Sequence, residues 1–174
     1  ALIADGVALD EIYPIDVDRA FKKLDEIKPH IEVWWTSGAQ SAQLMKDGEV
    51  EMSTIWNGRM DAAIADGATA RYTFNGGIAA LDCLAIPKGS PNKDTAMKVI
   101  AALVTAELQA NIPTYINYGP TNRDAFALGK ISAEMTAKSP SAPDNLSKQV
   151  IVRAAWWAEH GTAVQERWDA WQIE

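Results

Sequence analysis

Ile55-Trp56-Asn57-Gly58-Arg59 places an indole, an amide and a guanidinium side by side at the carboxyl end of a predicted strand. Ligands of open α/β sheets sit at that end of the strands. Asn57-Gly58 also opens a predicted helix, so unpaired backbone N–H groups face the same space. Further on, Asp82 is a lone carboxylate among the apolar neighbours Ala79, Ala80, Leu81, Cys83 and Leu84. Burying it unpaired is costly, so it is expected to meet a cation, on the protein or on a ligand. Trp56 also reads as simple core, Arg59 as a surface residue or an internal partner of Asp82, and Tyr118 as packing. Ser37 and Gln40 are first of all capping residues and second candidates for ligand contact.

Other chemistry is missing. There is no G-x-S-x-G, G-x-x-x-x-G-K, H-E-x-x-H or G-x-G-x-x-G pattern. His30 and His160 lie far apart and read as solvated or core residues. Cys83, the single cysteine, sits in an apolar run and reads as a buried thiol. One cysteine excludes an internal disulfide and a zinc cluster. No nucleophile–base pair assembles, so no enzyme is expected, and neither a metal nor a cofactor is required.

The 174 residues are enough for a sizeable core, and 48% apolar with 22% charged residues is the composition of a folded protein. A net charge of −7 argues against nucleic acid as a partner. No apolar run approaches the roughly 18 residues of a membrane-spanning helix. Seven tryptophans are unusually many. The opening Ala1-Leu2-Ile3-Ala4-Asp5-Gly6 reads as a last helical turn closed by glycine, without initiator Met or leader pattern. The expectation is the C-terminal part of a larger protein.

Strands are expected at Ile31–Trp35, Glu51–Trp56, Arg71–Phe74 and Leu81–Ile86. Alternation sends Trp34 and Trp35 to opposite faces, one toward the core and one toward a cleft. Helices are expected after the Asp16 cap, after the Ser37-x-x-Gln40 capping box up to Gly48, from Asn57 to before Gly67, after Asn92, and from about Ala155 to Trp171. The last helix carries a core stripe of Trp157, Val164, Trp168 and Trp171. Asn75-Gly76-Gly77 reads as a joint, and Ser139–Asn145 as a surface linker. The alternation gives an α/β protein with a mostly parallel sheet.

Several stretches together resemble the spermidine/putrescine-binding family of ABC-transporter periplasmic solute-binding proteins. They are Trp34-Trp35, Gly48-Glu49-Val50, Trp56-Asn57-Gly58, Gly76-Gly77-Ile78, Asp82, Leu84-Ala85-Ile86-Pro87 and Tyr118-Gly119-Pro120-Thr121-Asn122. The resemblance covers nearly the whole chain. It implies the C-terminal half of a two-lobed receptor with a type II periplasmic-binding-protein fold. Residues 1–80 would belong to the second lobe, 81–127 would cross the hinge and complete part of the first, and 128–174 would return. The partners it implies are an inner-membrane ABC permease and the missing N-terminal lobe of the same protein. In that family the residues matching Trp56, Asp82 and Tyr118 respectively stack on the ligand, take an ammonium group and line the cleft.

Two departures bear on the ligand. Ala80 stands where polyamine binders often carry Trp, and Arg59 stands where many carry a small residue. An added cation suits a polycation poorly. Arg59 can take a carboxylate bidentately, Asp82 an ammonium, and Trp56 can cover the methylenes between. The expectation is a small zwitterion, an ω-amino acid such as γ-aminobutyrate (GABA), ahead of a polyamine. A ligand-sensing domain of a regulator is the alternative class. The half-chain is also expected to expose apolar surface and self-associate.

Overall fold

The computed structural model describes residues 1–173. Asp16 accepts a hydrogen bond from the Arg19 amide at 3.0 Å and starts helix α1, Val17–Ile27. A 3-10 turn, Lys28–His30, carries the chain over Pro29. Ser37 caps α2, Gly38–Asp47, by accepting from the Gln40 amide at 3.2 Å. Gly48 ends that helix at φ 69°, a left-handed conformation that glycine adopts without steric cost. Gln40 Oε1 turns back to the Thr36 amide at 2.8 Å, one residue before the position a capping box uses. Helix α3 spans Asn57–Ala65.

Strand β1, Gly77–Ala79, is followed by α4, Lys93–Leu103, and α5, Ala106–Gln109. Then come α6, Ala133–Lys138, α7, Pro143–Leu146, strand β2, Gln149–Ile151, and the long closing helix α8, Ala154–Ile173. β1 and β2 pair in parallel, Gly77 opposite Gln149 and Ala79 opposite Ile151. This ladder ties the middle of the chain to its last quarter.

Several packed regions hold the elements. Leu2, Ile12 and Val150 form one, with Val7, Leu9 and Tyr13 against them. Trp171 anchors another, edge-on to Phe21 at 5.9 Å and to Trp34 at 5.6 Å between ring centres. Its indole N–H donates to Asp25 at 2.7 Å, the partner a buried indole needs. Ala110, Ala125 and Ile131 form a third, under Phe126 and Met135. Helices α2 and α3 pack on each other and bury Ser41, Leu44, Met60 and Ala63.

The structure corrects several expectations. Ile31–Trp35, Glu51–Trp56, Arg71–Phe74 and Leu81–Ile86 carry no ladder: their backbones exchange no paired hydrogen bonds with another segment among the described residues. Strand β1 forms at the expected glycine joint instead, and its partner β2 forms at Gln149–Ile151. Cys83 is exposed, since the run around it has nothing packed over it. Ser139–Asn145 is not a surface linker. Ser139 and Ala142 are buried, and Gln149 donates to Pro140 O at 2.8 Å and Asn145 O at 3.0 Å. The Asn92 side chain makes no cap bond, and α4 buries no residue. In the α8 stripe Trp171 is buried, but Trp157 is exposed.

Candidate functional site

The chain alternation at Trp34-Trp35 works as the pleat dictates. Trp34 turns to Trp168 and Trp171 of α8, while Trp35 turns the other way and meets Trp56 edge-on at 5.5 Å. Trp56 is the N-cap residue of α3, and its indole lies across the start of α2. A Cβ on Gly38 would come within 2.6 Å of the Trp56 ring and 3.2 Å of Arg59 Nε. Glycine at this position therefore lets the aromatic ring and the guanidinium come close to the first residue of α2. Ser37, whose hydroxyl caps that same helix, immediately precedes Gly38 in sequence.

A second glycine does the same for Tyr118. A Cβ on Gly58 would lie 2.8 Å from Tyr118 Cε1 and 3.0 Å from Ile116 Cγ1. Tyr118 thus covers the first turn of α3. The helix has no side-chain cap, and the amides of Asn57 and Gly58 find no acceptor among the described residues. Free N–H groups at a helix start favour negative charge.

The structure therefore gathers Trp56, Arg59, Tyr118 and Ser37 at the facing starts of α2 and α3. Trp56 remains 54% exposed, too open for a core indole. Arg59 is exposed and makes no ion pair among the described residues. Gln40 is committed to the helix cap through its carbonyl oxygen, with its amide NH2 left over. Asp82 is not joined to this group. It stands with Leu81, Cys83, Leu84 and Ala85 on an exposed run, so the expected burial penalty is absent, and it has no cation partner among the described residues. The internal Arg59–Asp82 ion pair is not formed, and both charges stay available.

Sequence reasoning missed the group that secures this wall. Tyr72 OH donates to Asp61 at 3.0 Å, and Asn117 Nδ2 donates to the same carboxylate at 2.8 Å. Asn57 Nδ2 donates in turn to the Asn117 carbonyl oxygen. Burial pushes the Tyr72 phenol well above its ordinary value, and the Asp61 charge and hydrogen bond push the same way. No local pattern announces these contacts, which join residues on separate segments.

Two recesses lie elsewhere. One, about 390 Å³, is bordered by Asp61, Arg71, Tyr72, Lys138 and Lys148. The other, about 470 Å³, is an apolar groove between Leu84–Ile86 and α4. Neither contains Trp56, Arg59, Asp82 or Tyr118. The gathered site is an open wall rather than an enclosed cavity, as one face of a cleft is.

Comparison with known proteins gives the family of the chain. The profile described as bacterial extracellular solute-binding protein matches residues 1–142. A gamma-aminobutyric acid-binding protein of Pseudomonas aeruginosa is 37% identical over 98% of this chain and 49% of its own length. A spermidine/putrescine-binding periplasmic protein of Salmonella typhimurium is 27% identical over 86% of this chain and 42% of its own length. Among solved structures, an ABC-transporter substrate-binding protein of Bradyrhizobium japonicum superposes with TM-score 0.91 at 50% identity, over 98% of this chain and 53% of that one. A GABA receptor superposes with TM-score 0.83 at 42% identity, over 98% and 52%. The chain spans about half the length of the curated relatives it matches.

Proposed function

Since the chain belongs to the family of bacterial extracellular solute-binding proteins, we propose that it is the C-terminal half of a periplasmic receptor for a short ω-amino acid such as GABA, serving an ABC importer. The observation that carries the ligand assignment is an unpaired guanidinium, Arg59, lying next to a half-exposed indole, Trp56, at an uncapped helix start. In this reading Arg59 takes the carboxylate, helped by the free amides of α3 and by the Ser37 hydroxyl proton. Trp56 covers the methylenes, and Asp82 takes the ammonium group when the cleft closes. Tyr118 lines the side. The relatives named for GABA support the choice.

The lobes follow the same reading. Residues 1–80 and 128–174 form one lobe, and the β1–β2 ladder between residues 77–79 and 149–151 supports that grouping. Residues 81–127 cross the hinge and complete part of the other lobe, with the 116–118 loop lying against α3 where the two meet. The rest of the receptor supplies the opposite cleft wall, hinge closure traps the solute, and a permease reads the closed form. The protein binds and releases its solute without chemical change.

Calorimetry on the complete receptor tests the assignment. GABA is expected to bind tightly and putrescine weakly. Arg59→Ala should remove a buried charge-assisted contact and cost about 2–5 kcal/mol, a loss of thirtyfold or more in affinity. Tight putrescine binding with no response to GABA reverses the order of ligands. Unchanged GABA affinity in Arg59→Ala places Arg59 outside the site.

A further inference from the structure

We propose that Asp61 is a positioning residue for the ligand wall: it holds the Ile116–Tyr118 loop against the first turn of α3 and so fixes where Tyr118 stands. The inference rests on the receptor reading above for its ligand and on geometry alone for the positioning.

Asp61 follows Asn57 by one helical turn, so both side chains leave α3 on the same face. Between them they hold Asn117 at two points. Asp61 accepts from the side-chain amide, and Asn57 donates to the backbone carbonyl oxygen. Tyr72 OH, on a third segment, gives the same carboxylate a second donor. Asn117 is thus fixed in position and in orientation, and Tyr118 is the next residue.

The orientation of Asn117 shows which contact dominates. Its Oδ1 is buried and has no hydrogen-bond partner among the described residues. Turning the amide over would set that oxygen against the Asp61 carboxylate, where only a donor is tolerated. The structure leaves a neutral acceptor unsatisfied in order to keep a donor on a charged one. Hydrogen bonds to ionised groups are the stronger kind, which accounts for the order.

Tyr118 has no comparable tether of its own toward α3. Beneath it is Gly58, with no side chain to grip the ring. Its backbone amide bonds only within the loop, to Ile116 O at 2.7 Å. Where the Tyr118 ring sits is therefore set through Asn117, and Asn117 through Asp61.

Exchanging the two partners tests this on the complete receptor, with GABA as the calorimetric probe and hydrogen exchange of the unliganded protein as the second readout. Asn117→Asp sets two carboxylates against each other and should weaken GABA binding about tenfold or more, while the amides of Ile116 and Tyr118 exchange faster by a similar factor. The double exchange, Asp61→Asn with Asn117→Asp, restores a donor facing an acceptor. It should bring affinity and exchange back to within about threefold of wild type. Tyr72→Phe, which leaves the Asp61–Asn117 bond intact, should lie between. A double exchange no better than Asn117→Asp, or Asn117→Asp with wild-type exchange at Ile116 and Tyr118, overturns the proposal. The exchange measurement uses no ligand, so a receptor that ignores GABA but shows this loosening and rescue removes the ligand assignment and keeps the positioning role.

Discussion

The segments on either side of Ala80 follow opposite rules. Before it, and again after Ser139, a set of apolar side chains is buried within the chain: Met60 is 1% exposed between α2 and α3, and Trp171 is 7% exposed among Phe21, Trp34 and Trp168. From Leu81 to Leu108 no apolar side chain is buried, with Leu81 at 67%, Leu84 at 59% and Leu103 at 45% exposure. Composition does not separate the two regions. The difference lies in what packs against them: a strand or helix face becomes core only where a second surface covers it. The inward-facing region fixes Trp56 and Arg59 in place, and the outward-facing one carries Asp82.

The largest effect expected from this contrast is in the covered region. Trp171→Ala should cost about 3–5 kcal/mol in chemical denaturation, through the lost burial and the cavity left between α1 and α8. A cost under about 1 kcal/mol would mean that the aromatic cluster does not hold α8 in place. Leu103→Ala gives the counterpart. In the 174-residue chain it should cost no more than about 0.5 kcal/mol, and in the complete receptor about 2 kcal/mol or more, as a covered leucine does. Equal small costs in both proteins would show that the rest of the receptor does not cover α4.

Smaller effects sharpen the comparison inside the covered region. Ser37→Ala should cost about 1 kcal/mol by leaving the Gln40 amide uncapped. The Tyr72 contribution appears only in alkali. Its phenol keeps its proton in the folded state to a higher pH than in the unfolded chain, so above about pH 10 the unfolded chain alone releases it. Stability from this group is complete below that pH and declines as pH rises. Tyr72→Phe should lose less stability than wild type between neutral pH and the alkaline range, read as denaturation midpoints; equal losses would deny Tyr72 this role.

What the sequence made legible were the local devices. The Asp16 and Ser37 caps, the Gly48 and Gly67 stops and the opposite facing of Trp34 and Trp35 each depend on a few neighbouring residues. The proximity of Trp56 and Arg59 at one helix start was readable because they stand three positions apart in the chain. The missing ladders of Ile31–Trp35 and Leu81–Ile86 were not readable, since pairing is decided by distant chain. Cys83 shows the same limit: an apolar run predicts burial only if something covers it. The Ser139–Asn145 segment looked like a linker because two prolines and polar residues dominate it, yet Gln149 and Asn145 satisfy its backbone and let it pack. Asp61 was invisible because its partners Tyr72 and Asn117 lie on other segments.

The zwitterion clamp is tested most directly by trimming the ligand rather than the protein. Titrating the complete receptor with GABA, butyrate and butylamine compares both ends of the molecule on the same aromatic wall. The account predicts that GABA binds and that each singly charged analogue loses about two orders of magnitude in affinity, because either Arg59 or Asp82 is left without its partner. Butylamine binding as tightly as GABA would contradict it, since the guanidinium would then have no part in holding the solute.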